Sequence, residues 1–236
     1  MQLVHPLLAS LALELEENII DELQDNVQAL RRCALVCRSW HIRSRHHLLR
    51  SIRIRSVEQL DELCAYFRTH PALRPSVKSL SILPTRRENQ CPELIWIPLV
   101  SQLPSVQKLT IASEERNSYR EVTHRTSFHR TLLTSLRVVH HATSILCLYK
   151  IAFPNPSELV RLLAALPSLR CLRCEDLQIT RMEEETVETA LKRYNRRVHI
   201  SDLYVGACHA LVCALANTSG MVDTSERRTS GRGALT

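Results

Sequence analysis

The sequence predicts a mixed α+β or α/β chain: a helical N-terminal unit, then a short, irregular strand–helix solenoid, then a disordered tail. Three observations support this fold class. Apolar residues recur at helical spacing in residues 11–55, a strand pattern recurs through residues 56–200, and Ser, Thr, Gly and Arg dominate the end of the chain. We therefore expect an N-terminal extension at 1–10, a helical domain at 11–55, a repeat domain at 56–200 and an uncertain or disordered tail at 201–236.

Composition excludes several phosphate-binding and nucleophile motifs. The 236 residues include 27 Arg, 4 Lys and 24 Asp or Glu, which gives a formal net charge of +7. All four glycines lie after Val205, whereas a P-loop, a dinucleotide-binding GxGxxG turn and a nucleophile elbow each require glycine. None of these motifs is therefore expected in the chain.

The cellular compartment is predicted from the cysteines and the N-terminus. No apolar run reaches the about 18–20 residues that span a bilayer, and Met1–Leu15 lacks the basic segment of a signal peptide. Nine cysteines, an odd number without regular spacing, fit reduced thiols better than a disulfide framework. We expect an intracellular protein of the cytoplasm, the nucleus or both, without membrane contact.

Residues 11–52 predict two amphipathic helices. The first has one apolar face, formed by Leu15, Ile19, Ile20 and Leu23. Its opposite face is acidic and consists of Glu16, Glu17, Asp21 and Glu22. The second helix, over Val27–Trp40, has an apolar stripe of Leu30, Cys33, Ala34 and Cys37. Leu35 and Val36 lie off that stripe, so this helix is expected to contact both an internal core and a partner.

The amino-acid sequence of this segment resembles an F-box, in particular the F-box of the large basidiomycete F-box families. The resemblance rests on Leu11–Leu15, on Ile19–Leu23, on Cys33–Trp40 with its Leu-Val-Cys-Arg-x-Trp core, and on Ser44-Arg45 followed by Leu48-Leu49. It implies three small helices that dock on the Skp-type subunit of an SCF ubiquitin ligase. The family has proline where this chain has Ala12, and that proline helps contact the Skp-type subunit.

The resemblance also implies a role for individual side chains. Contacts with the Skp-type subunit would fall on Leu11, Leu13, Leu35, Val36 and Trp40. The residues expected to hold the three helices together are Leu15, Ile19, Leu23, Leu30 and Cys33. The alternative is that all ten are core residues of the helical unit.

The repeat domain is predicted from a helix and a recurring strand pattern. Ser56 caps a helix with Gln59 at the capping-box position and a buried stripe of Val57, Leu60, Leu63, Cys64 and Phe67. The pattern Ser-apolar-x-x-Leu-x-apolar then occurs at residues 76–82 and 105–111, with weaker echoes at 144–148 and 168–172. Successive copies begin 29, 39 and 24 residues apart, and helices are expected at Pro98–Leu103, Thr126–Leu136 and Ser157–Leu166.

Strand–helix units at this spacing resemble irregular leucine-rich repeats, which follow the F-box in the family. One such unit cannot bury its apolar face alone, so neighbouring units stack. The asparagine of a standard repeat is missing, and an unspecific α/β layer domain is the alternative. A repeat solenoid would present a target-binding face at Ser79, Ser81, Lys108, Thr110, Cys147, Tyr149, Arg170 and Arg173, which are otherwise ordinary solvated positions.

The C-terminal part changes character. A helix is expected at Met182–Tyr194 and a short strand at Arg197–Ile200, followed by an apolar run at Tyr204–Ala216. Residues 217–236 have the composition of a disordered segment. An altered or truncated end of the repeat domain is one interpretation of this change.

Sites for metal or thiol chemistry are weakly indicated. Cys37–Arg43 matches Cys-x5-Arg, but it is expected to form a helix end rather than a phosphate cradle. Cys171 and Cys174 form a zinc site only if Cys208 and Cys213 join them, whereas a repeat strand needs small apolar residues there. The pairs His46-His47 and His140-His141 are expected to be surface histidines.

An arginine-rich stretch is the remaining candidate. Eight arginines and no acidic residue lie between Asn26 and Val57, a pattern compatible with phosphate binding. The chain lacks an aromatic RNA-binding module and has almost no lysine, so nucleic acid is disfavoured. The same stretch can attract an acidic protein, and Skp-type subunits are acidic in the family.

The sequence therefore predicts an F-box substrate adaptor, not an enzyme, with no metal or cofactor. Its expected partners are a Skp-type linker subunit, a cullin bound through that subunit, and an unknown protein substrate on the repeats. The alternatives are an interaction scaffold outside ubiquitin ligation and a zinc or thiol enzyme that uses Cys171 and Cys174.

Overall fold

The computed structural model describes residues 12–83, 97–112, 130–139, 141–179 and 200–206. The chain divides into two compact units, Met1–Ser51 and Ile52–Thr236. Within the described ranges it is a mixed α/β protein with seven α-helices, one 3-10 helix and a predominantly parallel sheet arrangement. No helix of those ranges has both the length and the apolar character needed to cross a bilayer.

The first unit consists of helices α1 (Leu13–Glu22), α2 (Val27–Cys33) and α3 (Arg38–Arg50). The Asn26 side chain accepts the Ala29 N–H at 3.0 Å, which satisfies a donor at the start of α2. The prediction of one helix over Val27–Trp40 is wrong, because residues 34–37 form a turn. The turn is closed by backbone bonds from Leu35 to Arg32 and from Val36 to Cys33. It allows α3 to pack against both α1 and α2, and packing of this kind outweighs the helix propensity of the turn residues.

The core of this unit differs from the predicted one. Ile20 and Leu30 are each 1% exposed and Cys33 is buried, whereas Leu15 and Ile19 are 52% and 42% exposed. The assignment of Leu15 and Ile19 to the core is therefore wrong. The physical reason is that α1 turns Ile20 and its flanking carboxylates toward α3, where Arg43, His47 and Ser39 bond them.

The second unit contains a six-stranded sheet whose strands follow one another in chain order. Its strands are β1 (Ser51–Ile54), β2 (Ser79–Ile82), β3 (Lys108–Ala112), β4 (Ile145–Tyr149), β6 (Cys171–Glu175) and β8 (Asp202–Gly206). The four pairs from β2 to β8 are parallel. The short strands β5 (Ala152–Phe153) and β7 (Gln178–Ile179) form a second parallel pair.

The sheet register aligns the leucines of the recurring strand pattern and corrects the spacing of one copy. Leu80, Leu109, Leu146, Leu172 and Leu203 lie opposite one another across five strands. The third copy of the pattern is thus aligned two residues earlier than predicted, with Thr143 at the position of Val106. The Thr143 hydroxyl donates to the Val106 carbonyl at 2.7 Å, which allows a polar residue to occupy this buried site.

The last described strand lies where the sequence suggested a change of character. A strand is predicted at Arg197–Ile200; Ile200, the one described residue of that range, is not in a strand, and a strand at Asp202–Gly206 pairs with β6. Residues 197–199, the predicted helix Met182–Tyr194, and residues 207–236 lie outside the described residues. The sheet therefore extends past residue 200, into the segment expected to be a tail.

Helices connect the strands of this unit. They are α4 (Val57–Thr69), a 3-10 helix (Pro71–Ser76), α5 (Ile97–Val100), α6 (Arg130–Val139) and α7 (Pro156–Ala164). Ser56 caps α4 as predicted and accepts the Gln59 N–H at 3.3 Å, but the Gln59 side chain bonds the Arg55 N–H instead of completing the box. Helix α5 packs beside both α4 and α6, as expected when successive crossovers place their helices on one face of a parallel sheet.

Two equivalent turns follow β4 and β6. Lys150 and Asp176 each have a φ of 55°, and both directly follow the paired residues Tyr149 and Glu175. After each turn the chain enters one of the two-residue strands, β5 or β7. The segments that follow β4 and β6 thus begin with the same left-handed turn.

Candidate protein-interaction surfaces

The turn between α2 and α3 exposes two large aliphatic side chains. Leu35 is 88% exposed and Val36 is 64% exposed, the highest values among large apolar residues of the described ranges. They leave the helical stripe because the turn at residues 34–37 rotates them away from Leu30 and Cys33. Two adjacent exposed aliphatic side chains make this turn a candidate for a protein-binding surface, because contiguous apolar patches mark interaction sites.

Further apolar residues of the first unit are also exposed. They are Leu13, Leu15, Ile19, Val27 and Ile42. Leu15 and Ile19 are separated by one helical turn and thus lie on the same side of α1. Of the residues expected to contact a partner, Leu13, Leu35 and Val36 are exposed, Trp40 is half-buried, and Leu11 lies outside the described residues.

An ionic cluster joins α1 to α3 beneath these residues. The Arg43 guanidinium donates to both carboxylate oxygens of Asp21, with an Nε–Oδ1 distance of 2.6 Å, and its Nη1 lies 4.0 Å from Glu17. The His47 Nε2 lies 2.7 Å from Asp21 Oδ1. Hydrogen bonds from Arg43 and then His47 hold the pKa of Asp21 well below its ordinary value of 3.8. The cluster therefore ties α1 to α3.

His47, the histidine of this cluster, does not lie at the surface as predicted. His47 was expected to be a surface histidine without a nearby carboxylate, but its side chain is 8% exposed and contacts Asp21. The sequence spacing hid this contact, because the two residues lie on different helices. In the second predicted pair, His141 is exposed and His140 lies outside the described residues.

The Cys37–Arg43 segment has helical geometry and not that of a phosphate cradle. Cys37 precedes the first residue of α3, so this segment is a helix start and not the predicted helix end. The Cys37 sulfur lies 3.2 Å from the Ser39 hydroxyl. This contact is the main cause that lowers the pKa of the Cys37 thiol, and a hydrogen bond with the Trp40 backbone lowers it further. Arg43 bonds Asp21 instead of turning toward the thiol. The segment therefore lacks the arrangement that the motif needs.

The outer face of the sheet is the second candidate surface. By strand alternation and register, its central row is Ser81, Thr110, Cys147, Arg173 and Tyr204. The adjacent rows place Ser79 beside Lys108, and Tyr149 beside Glu175. Seven of the eight residues predicted for a target-binding face thus share one side of the sheet: Ser79, Ser81, Lys108, Thr110, Cys147, Tyr149 and Arg173.

Two positions on this face differ from the prediction. Arg170 precedes β6 and is exposed in the loop before the strand, so it does not belong to the strand row. Tyr204 was not identified from the sequence, although the alternation in residues 202–206 could have indicated it. The Arg173 guanidinium carbon lies 4.9 Å from the centre of the Tyr204 ring, a cation–π contact. Arginine and tyrosine are also the residue types most enriched in binding hot spots.

Buried thiols lie within the same face. Cys147 is fully buried, so its prediction as an exposed position of the target-binding face is wrong, because it lies on β4, between β3 and β6 in the sheet. Cys171 is 9% exposed. Burial is the main cause that raises the pKa of the Tyr149 hydroxyl, and interaction with Cys147 raises it further. A hydrogen bond with Cys171 raises the pKa of the Arg173 guanidinium. Tyr149 is therefore uncharged and Arg173 is cationic at neutral pH.

The positions of Cys171 and Cys174 do not support the alternative of a zinc site. Three positions apart on strand β6, these residues point to opposite faces of the sheet and cannot bind one ion together. Among the described residues no group of three or more His, Cys, Asp or Glu has a metal-binding arrangement. Cys208 and Cys213 lie outside the described residues.

Comparison with known proteins adds no assignment to this geometry. No protein-family model matches the chain, and no curated protein matches it. The features that bear on function are therefore the two candidate surfaces and the resemblance of residues 11–49 to an F-box.

Proposed function

We propose that the chain is an F-box substrate adaptor, in which the first unit binds a Skp-type subunit and the second unit binds a target protein. The observation that carries this proposal is the exposure of Leu35 and Val36 at the turn between α2 and α3. These residues belong to the Leu-Val-Cys-Arg-x-Trp segment that resembles the family. Apolar side chains of this kind gain free energy when a partner removes them from water.

The second unit supports the target-binding half of the proposal. Its parallel strands follow chain order and repeat one register of leucines, which is what a leucine-rich-repeat-like solenoid requires. Its outer face presents Arg173, Tyr204 and Tyr149 together with smaller polar residues. In this role the adaptor has no catalytic group and acts by raising the local concentration of target at the ligase.

Co-purification with a recombinant Skp-type subunit tests the proposal. We expect the full chain to retain the subunit, Leu35→Asp to abolish retention, and Trp40→Ala to weaken it about 10-fold or more, as for truncation of an interface hot spot. Val138→Asp is the matched control, because Val138 is an exposed apolar residue of α6 in the second unit. Failure of the unmodified chain to bind, or equal effects of Leu35→Asp and Val138→Asp, would refute the proposal.

A scaffold outside ubiquitin ligation is the second candidate. Ala12 favours it, because the family has a Skp-contacting proline at this position and Ala12 provides neither that ring nor a side-chain cap to α1. A scaffold would still capture targets through the second unit but would not retain a Skp-type subunit. The co-purification experiment therefore separates the two candidates.

A further inference from the structure

Three arginines flank the exposed turn between α2 and α3. Arg31 and Arg32 lie in the last turn of α2, and Arg38 is the first residue of α3. All three are exposed, and none forms an ion pair with a described residue. Leu35 and Val36 lie between them in the chain. We call these three residues the arginine edge.

The arginine edge differs from the other arginines of α3. Arg43 is bound to Asp21, and Arg50 donates to the Gln24 side chain at 2.9 Å, so both serve contacts inside the unit. No acidic residue occurs between Asn26 and Val57, and thus the edge has no counter-charge nearby in sequence. Its positive charge remains available to a partner.

Helix stability does not account for the whole edge. Arg31 and Arg32 are favourably placed, because a cation near the C-terminus of a helix interacts well with the helix dipole. Arg38 has the opposite placement: it lies at the N-terminus of α3, whose first turn contains no acidic residue, and the Glu16 carboxylate of α1 is taken up by the neighbouring Ser39. Helix stability therefore explains Arg31 and Arg32 but not Arg38, which forms no ion pair with a described residue.

The apolar residues within the edge favour a protein partner over nucleic acid. Binding to a phosphate backbone uses cationic and polar side chains and gives no partner to large aliphatic groups. Leu35 and Val36 project from the same turn that the arginines flank. A protein surface with an apolar pocket and surrounding carboxylates matches both features.

We propose that the arginine edge steers an acidic protein surface onto Leu35 and Val36. This inference rests on the proposed function and deepens it: the Skp-type subunit would dock with carboxylates around an apolar pocket. Long-range attraction speeds the encounter, whereas apolar burial holds the complex together. The arginines therefore act mainly on the association rate and Leu35 mainly on the dissociation rate.

Association kinetics with a recombinant Skp-type subunit test this division. The full chain is compared with R31Q/R32Q/R38Q and with R53Q/R130Q/R137Q, which removes the same charge from exposed arginines of the second unit. Rates are measured between about 0.01 M and about 1 M salt, over which the Debye length falls from about 30 Å to about 3 Å. Circular dichroism checks that each variant is folded, and R38Q alone provides a milder variant.

We expect R31Q/R32Q/R38Q to associate about 10-fold more slowly at low salt, with the difference vanishing at high salt and dissociation nearly unchanged. R38Q should show a smaller effect in the same direction, and the control triple should resemble the unmodified chain. Equal salt dependence in both triples would overturn the steering proposal while leaving the proposed function intact. Absence of binding by the unmodified chain would reject both.

A duplex DNA probe distinguishes the other class of partner. Duplex binding that R31Q/R32Q/R38Q abolishes and Leu35→Asp retains would overturn the protein-steering proposal in favour of nucleic acid. No such binding is expected, because the edge offers only three unpaired arginines around an apolar turn.

Discussion

The ionic cluster between α1 and α3 gives the sharpest stability prediction. Asp21→Asn keeps the shape of the side chain but removes the charge that accepts two bonds from Arg43 and one from His47. Arg43 and Asp21 are 35% and 36% exposed, so solvent screens their attraction and an exposed pair contributes about 0.2–1 kcal/mol. The largely buried His47 loses its charged partner as well, and we expect a total loss of about 1–2 kcal/mol.

The pH dependence of this loss follows from the direction of the pKa shift. Because the folded state lowers the pKa of Asp21 below 3.8, the cluster stabilises the protein fully only above the unfolded value. This stability is lost as the pH falls from about 4 through the lowered folded value. The difference between Asp21→Asn and the unmodified protein should therefore be largest near neutrality and shrink under acid conditions.

Urea unfolding followed by tryptophan fluorescence measures the effect. The chain has two tryptophans, Trp40 in α3 and Trp96, so a Trp96→Phe background makes Trp40 the reporter of the helical unit. Glu22→Gln is the matched control, since it removes one charge from an exposed position of the same helix. The reasoning fails if Glu22→Gln and Asp21→Asn destabilise equally, or if the difference between them is independent of pH.

Three further predictions concern single positions. Leu30→Ala should destabilise the helical unit by about 2–5 kcal/mol, whereas Leu35→Ala should change stability by less than about 0.5 kcal/mol, both measured by urea unfolding; similar costs would show that Leu35 is a core residue. Ala12 has a φ of −58°, which lies within the range of proline. Ala12→Pro should therefore stabilise the protein by about 0.4–1 kcal/mol and strengthen retention of the Skp-type subunit. A loss of stability in this variant would contradict the assigned backbone geometry. Lys150→Gly should raise the midpoint of urea unfolding, because glycine adopts the positive φ of this turn without strain. Lys108→Gly, in strand β3, is the control and should lower the midpoint. A lowered midpoint for Lys150→Gly would contradict the left-handed conformation of Lys150.

The sequence predicts the strands of the second unit better than the helices of the first. The leucine at the fifth position of the pattern, followed two residues later by another apolar residue, marks β2 and β3 correctly, and Leu172 marks β6, because inward residues of a strand alternate with outward ones. The copy at β4 is misaligned, because buried Thr143 replaces an apolar residue and its bond to Val106 cannot be seen in a pattern. Gly206 ends a real strand in a segment whose composition indicated a tail.

The helical unit was harder to predict because its helices are joined by charge as well as by apolar burial. Periodicity places Leu15 with Ile20, but the structure separates them, since Asp21 turns toward Arg43 and His47 on α3. Contacts more than twenty residues apart carry no periodic signal. The exposure of Leu35 and Val36 was foreseen because they lie off the apolar stripe, although the turn that exposes them was not.

The chain-order arrangement of the sheet has a consequence for synthesis on the ribosome. In the six-stranded sheet, each strand from β3 onward pairs with one that emerged earlier, and equivalent residues of successive paired strands are 26–37 positions apart. At about 5–20 residues per second, a new strand becomes available every few seconds. The nascent domain can thus extend one edge at a time, with each finished strand serving as the template for the next.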